Sequence, residues 1–499
     1  MVRAVLMLIL LASPALAQGL DDRHLTPLPR TGAEVARIAA VLAPTTDFTK
    51  PEPFEAKPAG AATVRLRPTP DAFSQFSGNM PFDRQMDFNL GNALFTKTWV
   101  AAPSSTLASD GLGPLHNARG CQDCHLKDGR GHVPAKGEAA VSLFLRLSVP
   151  GGPNPDGIAD WLATLPEPTY GGQLQTFAAT GIAAEARMSI TYTELPQTLT
   201  DATASLRAPE YSVADAAYAA LSPDTLLSPR IAPQMIGLGL LEAVPAADIL
   251  ARVDEDDADG DGISGRASIV PSREFGVPML GRFGWKGGAP TVREQSAGAF
   301  SGDMGLSTYL HPEASGDCTA AQPGCLAAPN GAQYVHDGQE VSDESLTLVT
   351  FYARNLAVPE RRGIDDPTVL RGKAVFYTLN CTGCHTPKHV THRLADQPEQ
   401  SFQLIWPYTD LLLHDMGEGL ADHRPEGRAT GHEWKTPPLW GIGLTAQVSG
   451  HTEFLHDGRA RNILEAILWH GGEAQAQRDA VATLPKPDRD ALIAFLESL

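Results

Sequence analysis

The chain of 499 residues carries a formal net charge of −19 and contains six cysteines, and its length allows two or three domains. Such an acidic surface argues against nucleic acid and anionic membranes as partners, whereas it suits a basic redox protein. Beyond residue 17, no apolar run approaches the roughly 20 residues of a membrane span, so the sequence predicts no membrane anchor.

The N-terminus has the features of a secretory signal peptide. Arg3 precedes an apolar run over residues 4–12, and the small-residue motif Ala15-Leu16-Ala17 follows it. These features predict that residues 1–17 are removed during export, so we expect a periplasmic protein. Residues 18–85 then form an N-terminal extension ahead of the first domain.

The predicted first domain covers residues 86–360. Helical periodicity predicts its opening helix in "FNLGNALFTKTW" (88–99) and its closing helix in "DESLTLVTFYARNLAVP" (343–359). Between about 140 and 280 lies a long insertion with alternating, β-like stretches such as "RMSITYTEL" and the apolar segment "IAPQMIGLGLLEAVP". We therefore expect a helical domain enlarged by a mixed loop and β insertion.

An acidic loop lies within this insertion. In "DDADGDGISGR", Asp257, Asp259 and Asp261 have the spacing of the first half of an EF-hand loop. Position 12 of that pattern is Ser268 instead of glutamate, so a complete EF-hand is excluded. Because three converging carboxylates repel one another without a cation, the loop predicts bound Ca²⁺; a solvated acidic turn is the alternative.

The predicted second domain covers residues 361–499 and also begins and ends with a helix, in "DPTVLRGKAVFYTLN" and "KPDRDALIAFLESL". A further helix is predicted in "FLHDGRARNILEAILWHGG" (454–472), where Ile463, Ile467 and His470 share one face. Taken alone, His470 is best interpreted as a core histidine bonded to a backbone carbonyl.

Four of the six cysteines stand in "CQDCH" (121–125) and "CTGCH" (381–385), the attachment pattern of c-type haem. The two thiols add to the haem vinyl groups and the adjacent histidine ligates the iron. Zinc and thioredoxin-type sites also use Cys-x-x-Cys, but they do not need the adjacent histidine twice. The sequence thus predicts two covalently bound haem c groups, held by Cys121, Cys124, His125, Cys381, Cys384 and His385.

The remaining cysteines, Cys318 and Cys325, close a short loop in "CTAAQPGC". In an oxidising compartment such a pair is expected to form a disulfide.

The segments "DGLGPLHNARGCQDCHLKDGRG", "GRFGWKGGAPTVREQSAGAFSGDMG" and "FLHDGRARNILEAILWHGGEA" resemble the bacterial di-haem oxidoreductase family, often labelled thiol oxidoreductases. That family is a distant relative of di-haem cytochrome c peroxidases and of MauG enzymes, which oxidise protein-bound tryptophan. The resemblance covers nearly the whole mature chain and implies a mainly α fold of two cytochrome c-type domains face to face. Thiol–disulfide chemistry is disfavoured, because both Cys-x-x-Cys pairs are assigned to haem.

The resemblance also implies catalytic residues. Trp285 matches a tryptophan between the two haems, and Gln295, ten residues later, matches a glutamine of the peroxide pocket. Asp303 stands near the position of a glutamate that moves a proton between the peroxide oxygens. It lies two residues nearer the glutamine than in the relatives and is one methylene shorter.

Axial ligation is implied by the same comparison. His470 lies fourteen residues after His456, where the peroxidases have a methionine ligand and MauG has a tyrosine. The second iron is therefore expected between His385 and His470, with Met416 as a competing ligand. Bis-imidazole ligation lowers the potential relative to a His/Met pair. The sixth ligand of the His125 iron stays open, with His116 and His132 as candidates.

Together these features predict a periplasmic di-haem oxidoreductase of the cytochrome c peroxidase type. Electrons from a small cytochrome c or cupredoxin enter at the His385/His470 haem and pass Trp285. Peroxide or another small oxidant is reduced at the His125 haem. A non-catalytic di-haem electron carrier and MauG-like oxidation of a partner protein are the alternatives.

Overall fold

The computed structural model describes residues 20–499. The predicted signal peptide, residues 1–17, lies outside the described residues. Within the described part of the chain, no helix has both the length and the apolar character needed to cross a bilayer.

The longer helices are each of six to thirteen residues, and most begin with a capping side chain or a proline in the first turn. They are α1 (Gly32–Leu42), α2 (Gln85–Phe95), α3 (Val292–Met304), α4 (Asp343–Asn355), α5 (Pro367–Thr378), α6 (Ile463–Leu468), α7 (Gln475–Thr483) and α8 (Lys486–Ser498). Shorter helices span Cys121–Cys124, Leu238–Glu242, Ala246–Leu250, Pro323–Leu326 and Thr445–Ser449. The predicted helices in 88–99 and 343–359, and those at both ends of 361–499, are confirmed.

In each of two helix pairs, a glycine lies at the point where the helices cross. At the crossing of α2 and α4, a Cβ on Gly91 would lie 2.2 Å from the Leu348 carbonyl oxygen. At the crossing of α5 and α8, a Cβ on Gly372 would lie 1.9 Å from the Ala491 carbonyl oxygen. One crossing falls in each predicted domain, but the division into 86–360 and 361–499 itself stays a prediction.

The strands belong mostly to the predicted insertion. Their bounds are β1 (Leu143–Pro150), β2 (Thr164–Leu165), β3 (Arg187–Thr198), β4 (Thr203–Ala214), β5 (Leu226–Ile231), β6 (Leu413–Asp415) and β7 (Glu433–Lys435). β1 lies between β2 and β5, β3 pairs with β4 in a long antiparallel hairpin, and β6 pairs with β7. Smaller pairs join Val100–Ala101 to Asp110–Leu112, Leu115–His116 to Phe177–Ala178, Ile269–Pro271 to Pro278–Leu280, and His389–Val390 to Leu404–Ile405.

The expected mainly α fold is wrong, because the protein is only 29% helical and has 18% strand in many small sheets. The β-branched and aromatic residues of "RMSITYTEL" form one arm of the β3–β4 hairpin, as such residues favour strands. With 40 prolines and 47 glycines, the connecting segments cannot sustain long helices. Their backbone groups pair instead across short strands.

The hairpin also bridges the two predicted domains. Leu199 and Leu206, near its turn, pack in the same apolar cluster as Phe376, Ile463 and Phe495. The insertion in the first predicted domain thus contributes to the core around the second Cys-x-x-Cys-His motif.

Candidate functional site

A largely apolar cavity, here called the second cavity, opens beside the "CTGCH" motif. It is lined by Cys381, Cys384 and His385, and by His470. The Nδ1 atom of His385 lies 3.0 Å from the Tyr408 carbonyl oxygen, and that of His470 lies 2.8 Å from the Ala466 carbonyl oxygen. Because a carbonyl only accepts, each Nδ1 carries the hydrogen and each Nε2 keeps its lone pair for a metal.

Burial sets the protonation state of both imidazoles. It lowers the pKa of His385 to about 4, and it also lowers the pKa of His470 from its ordinary value. Both rings are therefore neutral at pH 7, which is the form that ligates iron.

The end of α6 positions His470. Ile463, Ile467 and His470 all line the second cavity, as expected, but His470 lies beyond the helix and not on it as predicted. The helix ends at Leu468, and Gly472 follows with a φ of 54°. A Cβ on Gly472 would lie 2.3 Å from the Asp415 carbonyl oxygen, so glycine is needed where the chain turns against β6.

Met416, the competing ligand, lines the second cavity as well. It directly follows β6, and its backbone N–H donates to the His432 carbonyl at 3.1 Å. Both predicted sixth ligands therefore border the same space.

The first cavity opens beside "CQDCH" and is lined by Cys121, Cys124 and His125. The Nδ1 atom of His125 lies 2.8 Å from the Pro233 carbonyl oxygen, just past the end of β5. Burial lowers the pKa of His125 to about 4. This motif thus repeats the arrangement of the second one: a neutral imidazole whose Nε2 is available to a metal.

Gln295 and Asp303 both line the first cavity. They lie on α3 at an i, i+8 spacing, which keeps them on one side of a helix. Gln173 donates from Nε2 to Oδ1 of Asp303 at 2.9 Å. Burial raises the pKa of Asp303, against the opposing effects of the Arg146 charge and the Gln173 hydrogen bond.

Trp285 lines both cavities. Its indole Nε1 donates to the Ile231 carbonyl at 2.8 Å, and its own carbonyl accepts from the Lys435 N–H at 2.9 Å. These bonds tie the tryptophan to the ends of β5 and β7. The ring is therefore fixed at the boundary between the two cavities.

The two histidines proposed as sixth ligands of the first iron lie elsewhere. His116 bonds through Nδ1 to the Gly113 carbonyl at 3.1 Å, and His132 to the Val133 carbonyl at 3.0 Å. Within residues 20–499, neither of them lines the first cavity, whereas His311 does. The sequence offered no signal for His311, because it is far along the chain from the haem motif.

The arginines that line the first cavity were not predicted from the sequence. Arg146, Arg230 and Arg424 line it together with Glu426. Glu426 pairs with Arg230 at 3.2 Å and with Arg424 at 2.9 Å. Burial alone would raise the pKa of Glu426, but these arginines lower it to about 2. The arginines come from distant segments, so only the tertiary structure brings them together.

A buried charged triad borders the second cavity at His414, another residue not identified from the sequence. His414 lies 2.8 Å from Asp410 and 2.7 Å from Glu473. Although burial opposes protonation, the two carboxylates raise the pKa of His414 well above its ordinary value. His456 behaves differently: it stacks on Trp434 with ring centroids 3.7 Å apart, and burial lowers its pKa to about 3.

Cys318 and Cys325 form a disulfide with their Cα atoms 5.9 Å apart. The neighbouring Asp317 lines the first cavity and accepts from the N–H groups of Gly172 and Gln173 at 2.6 and 2.9 Å. The disulfide loop is therefore tied to the wall of that cavity.

The predicted calcium loop is arranged differently from its expected form. Ligand atoms of Asp254, Asp257 and Asp259 lie within 4.8 Å of one another. Asp261 instead accepts from the Ile263 N–H at 2.9 Å and from Asn380 Nδ2 at 3.2 Å. The loop thus contacts the residue that precedes "CTGCH".

Two neutral histidines beside Cys-x-x-Cys pairs, in cavities that share a tryptophan, suit two haem groups. Comparison with curated proteins gave no match to the chain. A family model described as "Di-haem oxidoreductase, putative peroxidase" matches residues 56–499. The chain therefore belongs to this di-haem oxidoreductase family.

Proposed function

We propose that the protein is an exported di-haem c-type peroxidase. In this proposal it takes electrons from a redox partner at the second cavity and reduces peroxide at the first. The observation that carries the proposal is the position of Trp285, which borders both cavities and is held by hydrogen bonds to β5 and β7. An aromatic ring at that boundary shortens the path of an electron between the two sites.

The donor sets suit covalently attached haem. Cys121 and Cys124, and likewise Cys381 and Cys384, would hold the porphyrin, with His125 and His385 on the iron. His470 would be the second ligand at the second cavity, with Met416 as the alternative. The haem iron, when bound, supplies electron storage and a position for peroxide. Since His125 and His385 have pKa values near 4, no proton has to be removed before they ligate.

Asp303 is the proposed proton carrier of the first cavity. Its Oδ1 is held by Gln173, so Oδ2 accepts the proton from one peroxide oxygen and returns it to the other. Burial raises the pKa of this carboxyl, which makes it a better proton acceptor and moves its pKa towards the neutral range where it can also return the proton. The Gln295 amide, on the same side of α3, orients the peroxide by hydrogen bonding.

The electron donor is proposed to be a small basic cytochrome c or cupredoxin in the periplasm. The net charge of −19 favours encounter with a partner of opposite charge, and such encounters weaken as salt is added. Fractionation of cells that express the full chain tests the location. Salt dependence of the electron-transfer rate tests the charge argument.

Ca²⁺ is proposed at the acidic loop, where Asp254 joins Asp257 and Asp259. Asp261 is then a link to Asn380 rather than a ligand. Ca²⁺ should raise the melting temperature of the wild-type protein, and Asp257→Asn together with Asp259→Asn should abolish that rise. An equal rise in the double variant would contradict the calcium site.

The main experiment uses protein matured in cells that attach c-type haem. We expect two haem groups per chain, and one after Cys121→Ala with Cys124→Ala. The wild-type protein should show a high-spin ferric signal from the first haem and should consume peroxide with a reduced cytochrome c. Asp303→Asn should lower kcat by about 10²-fold or more and leave the haem spectra unchanged.

Asp317→Asn is the matched control, because Asp317 lines the same cavity but is bonded to backbone N–H groups. It should retain most of the activity. Low-spin spectra in every oxidation state, without peroxide turnover, would contradict the proposal in favour of an electron carrier. Equal losses in both variants would contradict the role of Asp303.

A further inference from the structure

Three side chains with metal-binding atoms converge on the surface at Glu418, His423 and His432. Nε2 of His423 lies 3.1 Å from Oε1 of Glu418, and Nε2 of His432 lies 3.1 Å from Oε2 of the same carboxylate. The ligand atoms of all three lie within 4.8 Å of one another. We propose that these residues bind one divalent transition-metal ion, such as Zn²⁺, at a site separate from both cavities.

The backbone is shaped to bring the two imidazoles together. The segment between β6 and β7 leaves the sheet after Asp415 and returns at Glu433, which pairs with Asp415. Within it, His423 has a left-handed φ of 56°. A Cβ on Gly431 would lie 2.4 Å from the Cα atom of His423, so only glycine permits this approach. The His423 and His432 rings consequently lie 5.6 Å apart at 90°.

An ion pair alone does not account for this arrangement. A left-handed conformation is unfavourable for a residue other than glycine, and exposed ion pairs stabilise a protein only weakly. The side chains of Glu418 and His423 are 77% and 58% exposed, so their attraction is weakened by water. A bound cation would replace the two weak pairs with three coordination bonds and offset the backbone cost.

The donor set selects the class of metal. Two imidazole nitrogens and one carboxylate favour Zn²⁺, Co²⁺, Cu²⁺ or Fe²⁺, whereas Ca²⁺ requires six or more oxygen ligands. Three protein ligands leave a further position for water or a small molecule.

The proposed site adjoins the wall of the second cavity. Met416 and Leu420, on either side of Glu418, line that cavity, and the Leu420 carbonyl accepts from Trp434 Nε1 at 3.0 Å. A metal at Glu418, His423 and His432 would therefore fasten the segment that carries Met416. Binding to the folded state alone should also raise the melting temperature by mass action.

The test is equilibrium dialysis of the haem-loaded, tag-free protein against Zn²⁺ alone. Wild-type protein should bind one more Zn²⁺ per chain than the double variant His423→Ala with His432→Ala. Each single alanine variant, and Glu418→Gln, should weaken binding by at least about 10-fold. Ca²⁺ in excess should not displace the ion, and Zn²⁺ should raise the melting temperature of the wild-type protein only.

His451→Ala is the matched control. His451 belongs to another histidine pair, with its ring 6.0 Å from that of His132, but its Nδ1 accepts from the Glu453 N–H at 3.1 Å. This variant should bind Zn²⁺ as the wild type does. Unchanged haem spectra will show that all variants are folded. Absence of Zn²⁺ binding, equal binding by the double variant, or an equal loss in His451→Ala would overturn the proposal.

Discussion

Gly372→Ala tests whether the crossing of α5 and α8 supports the second haem site. The added Cβ would lie 1.9 Å from the Ala491 carbonyl oxygen and 2.8 Å from the Phe495 Cβ atom. An ordinary contact begins near 3.4 Å. Because the obstacle is backbone, no side-chain rotation relieves the clash, and the two helices must move apart.

The magnitude follows from two opposing effects. Overpacking of a tight core costs about 1–3 kcal/mol, and a backbone clash belongs at the upper end, while alanine recovers about 1 kcal/mol of helix propensity. A net loss of about 2 kcal/mol remains. For a unit of 150–250 residues this lowers the melting temperature by roughly 4–8 °C.

The assay is thermal unfolding of the haem-loaded protein, followed through the spectrum of each haem. Phe376 lies 6.2 Å from the His385 ring and 5.3 Å from Phe495, by ring centroids, so loosening this crossing should disturb the second haem first. Gly32→Ala is the control, because a Cβ there has nothing within 4 Å, and it should change stability by less than about 0.5 kcal/mol. A Gly372→Ala protein as stable as the wild type would refute the reasoning.

Three further predictions concern the cavities. His470→Met should raise the reduction potential of the second haem in a redox titration, because thioether ligation favours the reduced iron; an unchanged potential would point to Met416 as the native ligand. Trp285→Phe should slow electron transfer between the haems in stopped-flow traces without changing either spectrum, and an unchanged rate would remove the tryptophan from the path. Burial raises the pKa of Asp303, so its protonated form contributes stability that is fully present below the unfolded pKa and is lost as pH rises through the folded pKa. In urea unfolding, the stability of Asp303→Asn relative to the wild type should therefore increase as the pH rises above the unfolded pKa of Asp303; the opposite trend would contradict the burial argument.

The motifs were readable from the sequence because their chemistry depends on neighbours along the chain. Short spacings define three of these features. They are the two Cys-x-x-Cys-His motifs, the helices that contain Gly91 and Gly372, and the common side of Ile463, Ile467 and His470. Such spacings are fixed by the covalent chain and by the period of a helix. The family was recognisable for the same reason.

The fold class and the cavity walls depended on contacts between distant residues. The β content of the insertion exceeded expectation because strands are stabilised by their partners, which a local pattern does not reveal. Tertiary packing alone brings together the segments that form three further features. These are the arginines of the first cavity, the His414 triad and the close approach of His423 to His432. His470 shows both effects. Its spacing from Ile463 and Ile467, and its bond to the Ala466 carbonyl four residues earlier, are local, whereas the close packing of Gly472 against the Asp415 carbonyl oxygen joins segments that are distant in the sequence.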